Sequence, residues 1–351
     1  MSQKASLEKR QFLDFLRGFA IFLMLWGHSI QYCCGGQFDF FENSVFKIIY
    51  SFHMPFFMLI SGYLFFFSAE KRETNELIEY KTKSLLYPIL MCSIFNFIVT
   101  NLISTVFSLS VIKNYPFGGT PITSLWFLWS VLACSLALSI AVKPVKNKAL
   151  QIFIIVLGIG LVAILPCGEM NVYMYPYFVI GYVYAKNEEY LKKVRNIFSA
   201  FSCAIFVVMI FFFEKKHYIY TSGLLGAKTG VECLKIDFFR WAIGLFGSIA
   251  TIFVCRCVYK LISKSKISIG IELLGQNSLA VYALSVSLLS YWLPKLSNKA
   301  LALFSIIDWN NYIWFFNLIT TPLVAAIYSV ALLLIINLLK KMKLHRLIFG
   351  R

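Results

Sequence analysis

In the stretch Arg17-Gly18-Phe19-Ala20-Ile21-Phe22-Leu23-Met24-Leu25-Trp26-Gly27-His28, a permanent cation and a titratable ring bracket an apolar run. An arginine binds phosphate or carboxylate through a rigid fork of donors. An unperturbed imidazole titrates at about 6.5 and suits proton transfer. The two are eleven residues apart, about 16 Å along a helix at 1.5 Å per residue, and three turns put them on nearly one face. An arginine near a helix end can also simply snorkel to head groups. A histidine inside an apolar run is harder to assign to packing, because ionisable groups at membrane depth usually face a cavity and carry function. A second apolar run reads Phe52-His53-Met54-Pro55-Phe56-Phe57-Met58-Leu59-Ile60-Ser61-Gly62-Tyr63. If it pairs antiparallel to the first, His53 falls at the depth of His28, and Ser61 and Tyr63 fall at the depth of Arg17. Two of the chain's four histidines then share one layer. Pro55 either bends its helix or opens space at His53. Ser61 reads either as a nucleophile or as a small packing residue beside Gly62.

The elements that must position these residues are membrane helices. The chain is 59% hydrophobic and 14% charged, with a mean hydropathy of +0.74. A soluble domain of this length could not cover so much apolar surface, and apolar runs long enough to cross a bilayer, about 20 residues, recur along it. Ten spans are expected, at about 12–34, 45–67, 85–110, 122–142, 150–166, 171–185, 196–213, 237–259, 269–293 and 312–339. The hairpin Leu165-Pro166-Cys167-Gly168-Glu169 between the fifth and sixth is the least marked boundary. No repeat, linker or soluble segment interrupts them, so the expectation is an all-α integral membrane protein, one helical bundle and one domain over residues 1–351. No small-residue cleavage site follows the first span, which is expected to stay in the mature protein.

Placing the N-terminus in the cytoplasm puts 23 of the 33 lysines and arginines on that side and eight on the other, with Arg17 and Arg240 inside spans. That asymmetry follows the positive-inside rule with both termini cytoplasmic. It also accounts for the formal +17 charge without nucleic acid, since no basic soluble module exists to bind it. Trp126, Trp129, Trp292, Trp309 and Trp314 fall near outer span ends, as an interfacial aromatic belt would have them. The nine cysteines lie mostly in apolar runs, without zinc-type spacing, and no metal is expected. Asp14 is expected to pair with a nearby cation, Arg17 being one candidate, or to cap the first helix. Asp237 and Arg240, three apart, are expected to pair with each other. The charged stretch from Glu70 to Lys83 reads as a solvated turn, though Lys81 and Lys83 abut the third span.

These residues resemble the acyltransferase-3 family of multi-pass membrane acyltransferases. The resemblance rests on Leu13-Asp14-Phe15-Leu16-Arg17-Gly18 running on to His28, and on His53-Met54-Pro55-Phe56-Phe57 followed by Ser61-Gly62-Tyr63-Leu64. Leu125-Trp126-Phe127-Leu128 and Leu274-Gly275-Gln276-Asn277-Ser278-Leu279 with Tyr282 extend it, in family order, across most of the chain. Three positions depart from the family pattern. Where relatives often carry Arg-x-x-Arg before a proline, this chain has Lys81 and Ser84 before Pro88, leaving Lys81 and Lys83 as the local cations. Where a histidine commonly follows the tyrosine of the ninth span, this chain has Ser285.

The resemblance implies transfer of an acyl group, usually acetyl, from acyl-CoA on the cytoplasmic side to a hydroxyl of an envelope or surface glycan or its lipid-linked precursor. His28 would be the base and His53 its partner or support. Arg17, Lys81 and Lys83, with Ser61 and Tyr63 at their level, would hold the donor, and Trp126 would lie on the acceptor side. Acetyl-CoA would be a substrate, with no permanently bound cofactor. The partners would be acyl-CoA, the sugar acceptor and the bilayer, and the location a plasma membrane such as the bacterial inner membrane. Two other readings use the same residues: a transporter or flippase for a lipid-linked sugar or small solute, and a non-catalytic member of a glycan-assembly complex.

Overall fold

The computed structural model describes residues 3–103, 125–142, 147–224, 230–286 and 307–350. Among them there are helices, turns and no strand. The long helices are α1 (Gln3–Cys33), α2 (Ser44–Glu70), α3 (Thr74–Ile103), α4 (Trp126–Val142), α5 (Lys148–Ile164) and α6 (Gly168–Lys186). They continue with α7 (Arg195–Ile210), α8 (Gly230–Ile262), α9 (Lys266–Gln276), α10 (Ser278–Val286), α11 (Ile313–Lys341) and the short α12 (Leu344–Phe349).

Each of the ten expected spans falls on a helix, with informative differences at the ends. The first helix starts at Gln3 rather than near residue 12, because the charged turns before the apolar run are themselves good helix formers. Arg17 therefore sits midway along α1 rather than near its end. Among the described residues, four helices are long and apolar enough to cross a bilayer alone: Leu7–Cys33 within α1, then α2, α8 and α11. The stretch expected as one ninth span is instead two short helices, α9 and α10, bent by 74° at Asn277, and as a pair they make a fifth candidate. Helices α4, α5 and α7 have 17, 17 and 16 residues, short of the roughly 20 that span the hydrocarbon core unaided. The far ends of the third and ninth expected spans lie outside the described residues, as do Lys113, Lys143, Lys146, Lys228, Trp292, Lys295 and Lys299.

The described residues form two compact units. One is drawn from Met1–Ile60, Asn187–Tyr282 and Trp292–Leu334, and the other from Ser61–Lys186, Ala283–Tyr291 and Ile335–Arg351. In the first unit α1 crosses α9 backbone to backbone. A Cβ on Gly18 would stand 1.7 Å from the Ile271 carbonyl oxygen, and one on Gly275 would stand 1.7 Å from that of Asp14. Small residues let membrane helices approach this closely, where dispersion rather than water drives association. Glu272, on the same short helix, is buried and accepts from the hydroxyls of Ser268 (2.9 Å) and Tyr259 (3.2 Å). The second unit has its own glycine crossing. Gly62 of α2 is packed on the backbone of α6, with a Cβ there 1.9 Å from the Phe178 carbonyl oxygen. The α5–α6 hairpin is held by the fully buried Asn171, which donates to Val162 O (3.0 Å) and Pro166 O (2.9 Å) and accepts from the Ser130 hydroxyl (2.8 Å).

The glycine crossing in the first unit can be tested from both of its helices. Gly18→Ala or Gly275→Ala should destabilise by about 1–3 kcal/mol or more, as overpacking does. Gly270→Ala, where a Cβ meets nothing within 4 Å, should be neutral or stabilising. The unfolding midpoints of the three purified variants check this.

Candidate functional site

Arg17 lies on the α1 face that meets the break between α9 and α10. Its Nη2 donates to the Ser278 hydroxyl at 2.6 Å, and its Nη1 lies 3.4 Å from the Asp14 carboxylate one turn back. Ser278 opens α10, and the break is closed by Asn277, whose backbone and side-chain N–H groups both reach the Leu273 carbonyl (3.2 and 2.8 Å). Interrupted helix at membrane depth is tolerated where it is buried in protein or lines a cavity. Here a half-buried guanidinium faces the interruption. Asp14 is buried and pairs with Arg17, one of the two roles its sequence position allowed. Since α1 begins eleven residues earlier, it is not a cap.

Three turns on, His28 is half-buried and sits among tyrosines. Its ring stacks on Tyr32 (5.9 Å between centroids, 18° between planes) and meets the Tyr50 ring edge-on at 6.3 Å. Gly27 makes this possible, because a Cβ there would stand 2.4 Å from the Tyr50 ring. Nδ1 of His28 faces Gln31 Oε1 at 3.3 Å and the Tyr50 hydroxyl at 3.4 Å. An amide oxygen only accepts, so the Gln31 contact favours the tautomer with the proton on Nδ1. Nε2 is then the unprotonated nitrogen, available as a base.

Tyr50 also touches His53, with 4.6 Å between ring centroids, so the two histidines flank one tyrosine. His53 itself is 3% exposed, and its Nδ1 donates to the Ile49 carbonyl at 3.0 Å. That fixes its tautomer and buries it in α2, which runs unbroken through Pro55. Of the two rings, His28 is the one with accessible surface.

The other sequence-derived candidates lie in the second unit. Ser61 is half-buried, directly before the packing glycine Gly62. Tyr63 is buried, with its ring 6.1 Å from that of Tyr184 and 5.3 Å from that of Phe67. Lys81 reaches Ser68 Oγ at 3.4 Å and lies over the Phe65 ring at 5.4 Å. Lys83 turns the other way, pairing with Glu79 one turn back, with its side chain 75% exposed. The two lysines therefore do not converge. Ser84 donates to the Lys81 carbonyl (3.2 Å), Ser285 is buried, and Trp126 opens α4 half-buried beside Phe127. Among the described residues no group of three or more His, Cys, Asp or Glu side chains is placed to hold a metal.

Three features were not picked out from sequence. Tyr50 is one turn before His53 on the same face, and that spacing was the available signal. Ser278 lay inside a quoted motif without an assigned role. The third is the segment Glu214–Gly223, which folds over the buried Arg240. The guanidinium of Arg240 is 1% exposed, pairs with Asp237 at 2.6 Å, and donates to the carbonyls of Lys216 (2.8 Å), His217 (3.0 Å), Tyr218 (3.3 Å) and Gly223 (2.8 Å) and to the Ser222 hydroxyl. The expected Asp237–Arg240 pair thus exists, and its larger part is to satisfy a reversing backbone.

The comparisons place the chain in a family. The acyltransferase domain of the acyltransferase-3 type matches residues 10–340, and the chain belongs to that family. It is 30% identical over 184 residues to the nodulation protein NolL of Sinorhizobium fredii (strain NBRC 101917 / NGR234), covering 50% of this chain and 49% of that one. It is also 30% identical over 188 residues to the NolL of Mesorhizobium japonicum (strain LMG 29417 / CECT 9101 / MAFF 303099), covering 49% and 47%. The matched region thus spans about half the length of these relatives. No solved structure matches the chain.

The segment over Arg240 carries a pH dependence. His217 is buried, its ring 4.4 Å from that of Phe239, and its Nδ1 accepts from the Glu214 backbone N–H at 2.9 Å. Burial first and the Lys216 cation second, against the pull of Glu214, hold its pKa down to about 4. A ring depressed from about 6.5 stabilises the fold fully above that value, and this contribution is lost as pH falls from 6.5 through 4. The thermal midpoint should fall through that window, and less steeply in His217→Asn. Equal slopes in the two proteins would remove His217 as the cause.

Proposed function

We propose that this chain is a membrane O-acyltransferase that moves an acyl group, acetyl in the first instance, from acyl-CoA to a hydroxyl of an envelope or surface glycan or its lipid-linked precursor. The observation that carries the reading is the family match over residues 10–340, within which α1 holds Arg17 and His28 on one helix. In this reading one domain covers residues 1–351 and crosses a plasma membrane ten times, with both termini cytoplasmic. Support for that topology comes from the basic residues and from the four helices, five with the bent α9–α10 pair, that are long and apolar enough to cross a bilayer among the described residues.

The proposed step uses groups already described. His28 Nε2 takes the proton from the acceptor hydroxyl as that oxygen attacks the thioester carbonyl. The C–S bond breaks, and CoA leaves as its thiol once it regains a proton from the imidazolium. Gln31 holds Nδ1–H and steadies the ring through the cycle, and His53 supports Tyr50 behind it. Arg17 binds a donor phosphate by charge-assisted hydrogen bonds; in the second unit, Lys81 is a separate candidate for the same role, and Lys83, exposed and paired, adds only screened charge. Acyl-CoA carries its thioester at the far end of an arm from its phosphates. A cation and a base separated along one helix suit a ligand of that shape.

A second reading, a transporter for a lipid-linked sugar, is favoured by one observation, the 74° break between α9 and α10, since discontinuous helices mark many transport sites. The assays below separate the two, because only the enzyme leaves acyl label on a glycan.

Substitutions at Arg17 and His28 should fail differently. Arg17→Ala should lose most acyl-CoA binding, because the partner phosphate and Asp14 are both left unpaired. His28→Ala should bind acyl-CoA normally and transfer about 10²–10⁴-fold more slowly, the usual worth of a general base. Binding of acetyl-CoA and labelled-acetyl transfer to cell glycans measure the two. Transfer at the wild-type rate by His28→Ala would eliminate it as the base. Lys81→Gln should weaken acetyl-CoA binding more than Lys83→Gln does, most visibly at low salt, and identical behaviour would leave both lysines as topology signals.

A further inference from the structure

The first unit surrounds His28 with more aromatic surface than proton transfer needs. Tyr32 stacks on the imidazole, and Tyr50 meets its edge. Beyond Tyr50 stands Tyr220, with its ring edge-on to Tyr50 at 6.3 Å and 47% of its surface exposed. Tyr220 lies in the segment that Arg240 fixes. Further ties hold that segment to the opposite wall: Lys215 pairs with Asp39 at 2.6 Å, and the Tyr218 hydroxyl donates to the Phe41 carbonyl at 2.9 Å. Tyr50 is held in turn by stacking on the buried Phe46 at 3.9 Å. The tyrosines are thus set before any ligand arrives.

Such a surface has a matching ligand chemistry. A pyranose presents C–H groups on its faces and hydroxyls around its rim. Tyrosine rings offer apolar faces for the former and phenolic hydroxyls for the latter, with little side-chain entropy to lose. A site lined by aromatic faces with a few convergent polar groups is the usual form of a small-molecule pocket.

We propose that Tyr220, with Tyr32 and Tyr50, forms an aromatic wall beside His28 that takes one pyranose ring of the acceptor and presents a rim hydroxyl to Nε2. The wall rests on the acyl-transfer reading only in taking the acceptor to be a sugar. Tyr220 is its outermost member and sets how tightly the ring is held.

The test uses the full-length chain purified into lipid nanodiscs, with methyl pyranosides as probes and binding read by saturation-transfer NMR. The wild type should bind members of the panel. Tyr220→Ala should weaken that binding about tenfold, the scale of one well-placed aromatic contact, and Tyr220→Phe should stay within about twofold. Acetyl-CoA binding should be the same in all three. Methyl pyranoside binding that ignores Tyr220→Ala, or that is absent from the wild type, overturns the wall. Transfer of labelled acetyl to cell glycans is followed separately. Transfer that proceeds while pyranoside binding ignores Tyr220 leaves the enzyme standing and removes the wall. Tyr220-dependent binding without any transfer supports the wall and removes the enzyme.

Discussion

The first unit depends on a contact with no side chain in it. At Gly18 and Gly275 the backbones of α1 and α9 touch, and any Cβ would overlap a carbonyl oxygen. This closeness lets the Arg17 guanidinium, adjacent to Gly18, reach Ser278 three residues beyond Gly275. With a wider crossing, Arg17 would lose that hydroxyl, and the interrupted backbone at Asn277 would lose its cationic neighbour. An arginine at this depth is costly unless its donors are engaged, and Asp14 and Ser278 engage two of its nitrogens. The glycines thus decide whether Arg17 is affordable as well as where it points.

A second glycine works in the same way at the far end of α1. Gly27 removes the one Cβ that would exclude the Tyr50 ring, and Tyr50 then connects His28 to His53. The two histidines have different environments as a result. His53 is locked to its own helix through the Ile49 carbonyl, and His28 faces an amide through Nδ1 and keeps some accessible surface. Two like residues in one layer divide into a support and a candidate base.

Much of this was legible in the sequence because it is written in periodicity and in rare residues. Apolar runs located the helices, except that the ninth run is two helices, and the three-turn spacing put Arg17 and His28 on one helix. The scarcity of histidine singled out His28 and His53, and both touch Tyr50. The break at Asn277 was not legible, since residues 269–293 read as one apolar run and only the polar pair Gln276-Asn277 marks the interruption. The role of Arg240 was half legible. Its i,i+3 partner Asp237 could be paired on sequence, but the carbonyls of residues 216 to 223 are backbone groups that no residue pattern announces. Lys81 and Lys83 looked equivalent in sequence, yet two residues along a helix is more than half a turn, and they face different surroundings.

The division of the ninth span has a consequence for how the protein is made. Helix α9 has 11 residues and α10 is shorter still, so neither can cross a bilayer by itself. Leaving the insertion machinery, the pair would bring a bent backbone into lipid, where interrupted helix is accepted only against protein or a water-filled cavity. Helix α1, whose Arg17 already pairs with Asp14, emerges more than two hundred residues earlier and is in place to meet the bend through Ser278. Helix α1 is long and apolar enough to cross alone, whereas α9 and α10 need a neighbour. The N-terminal helix therefore serves as a template held for a late arrival, which makes the order of synthesis part of the folding route.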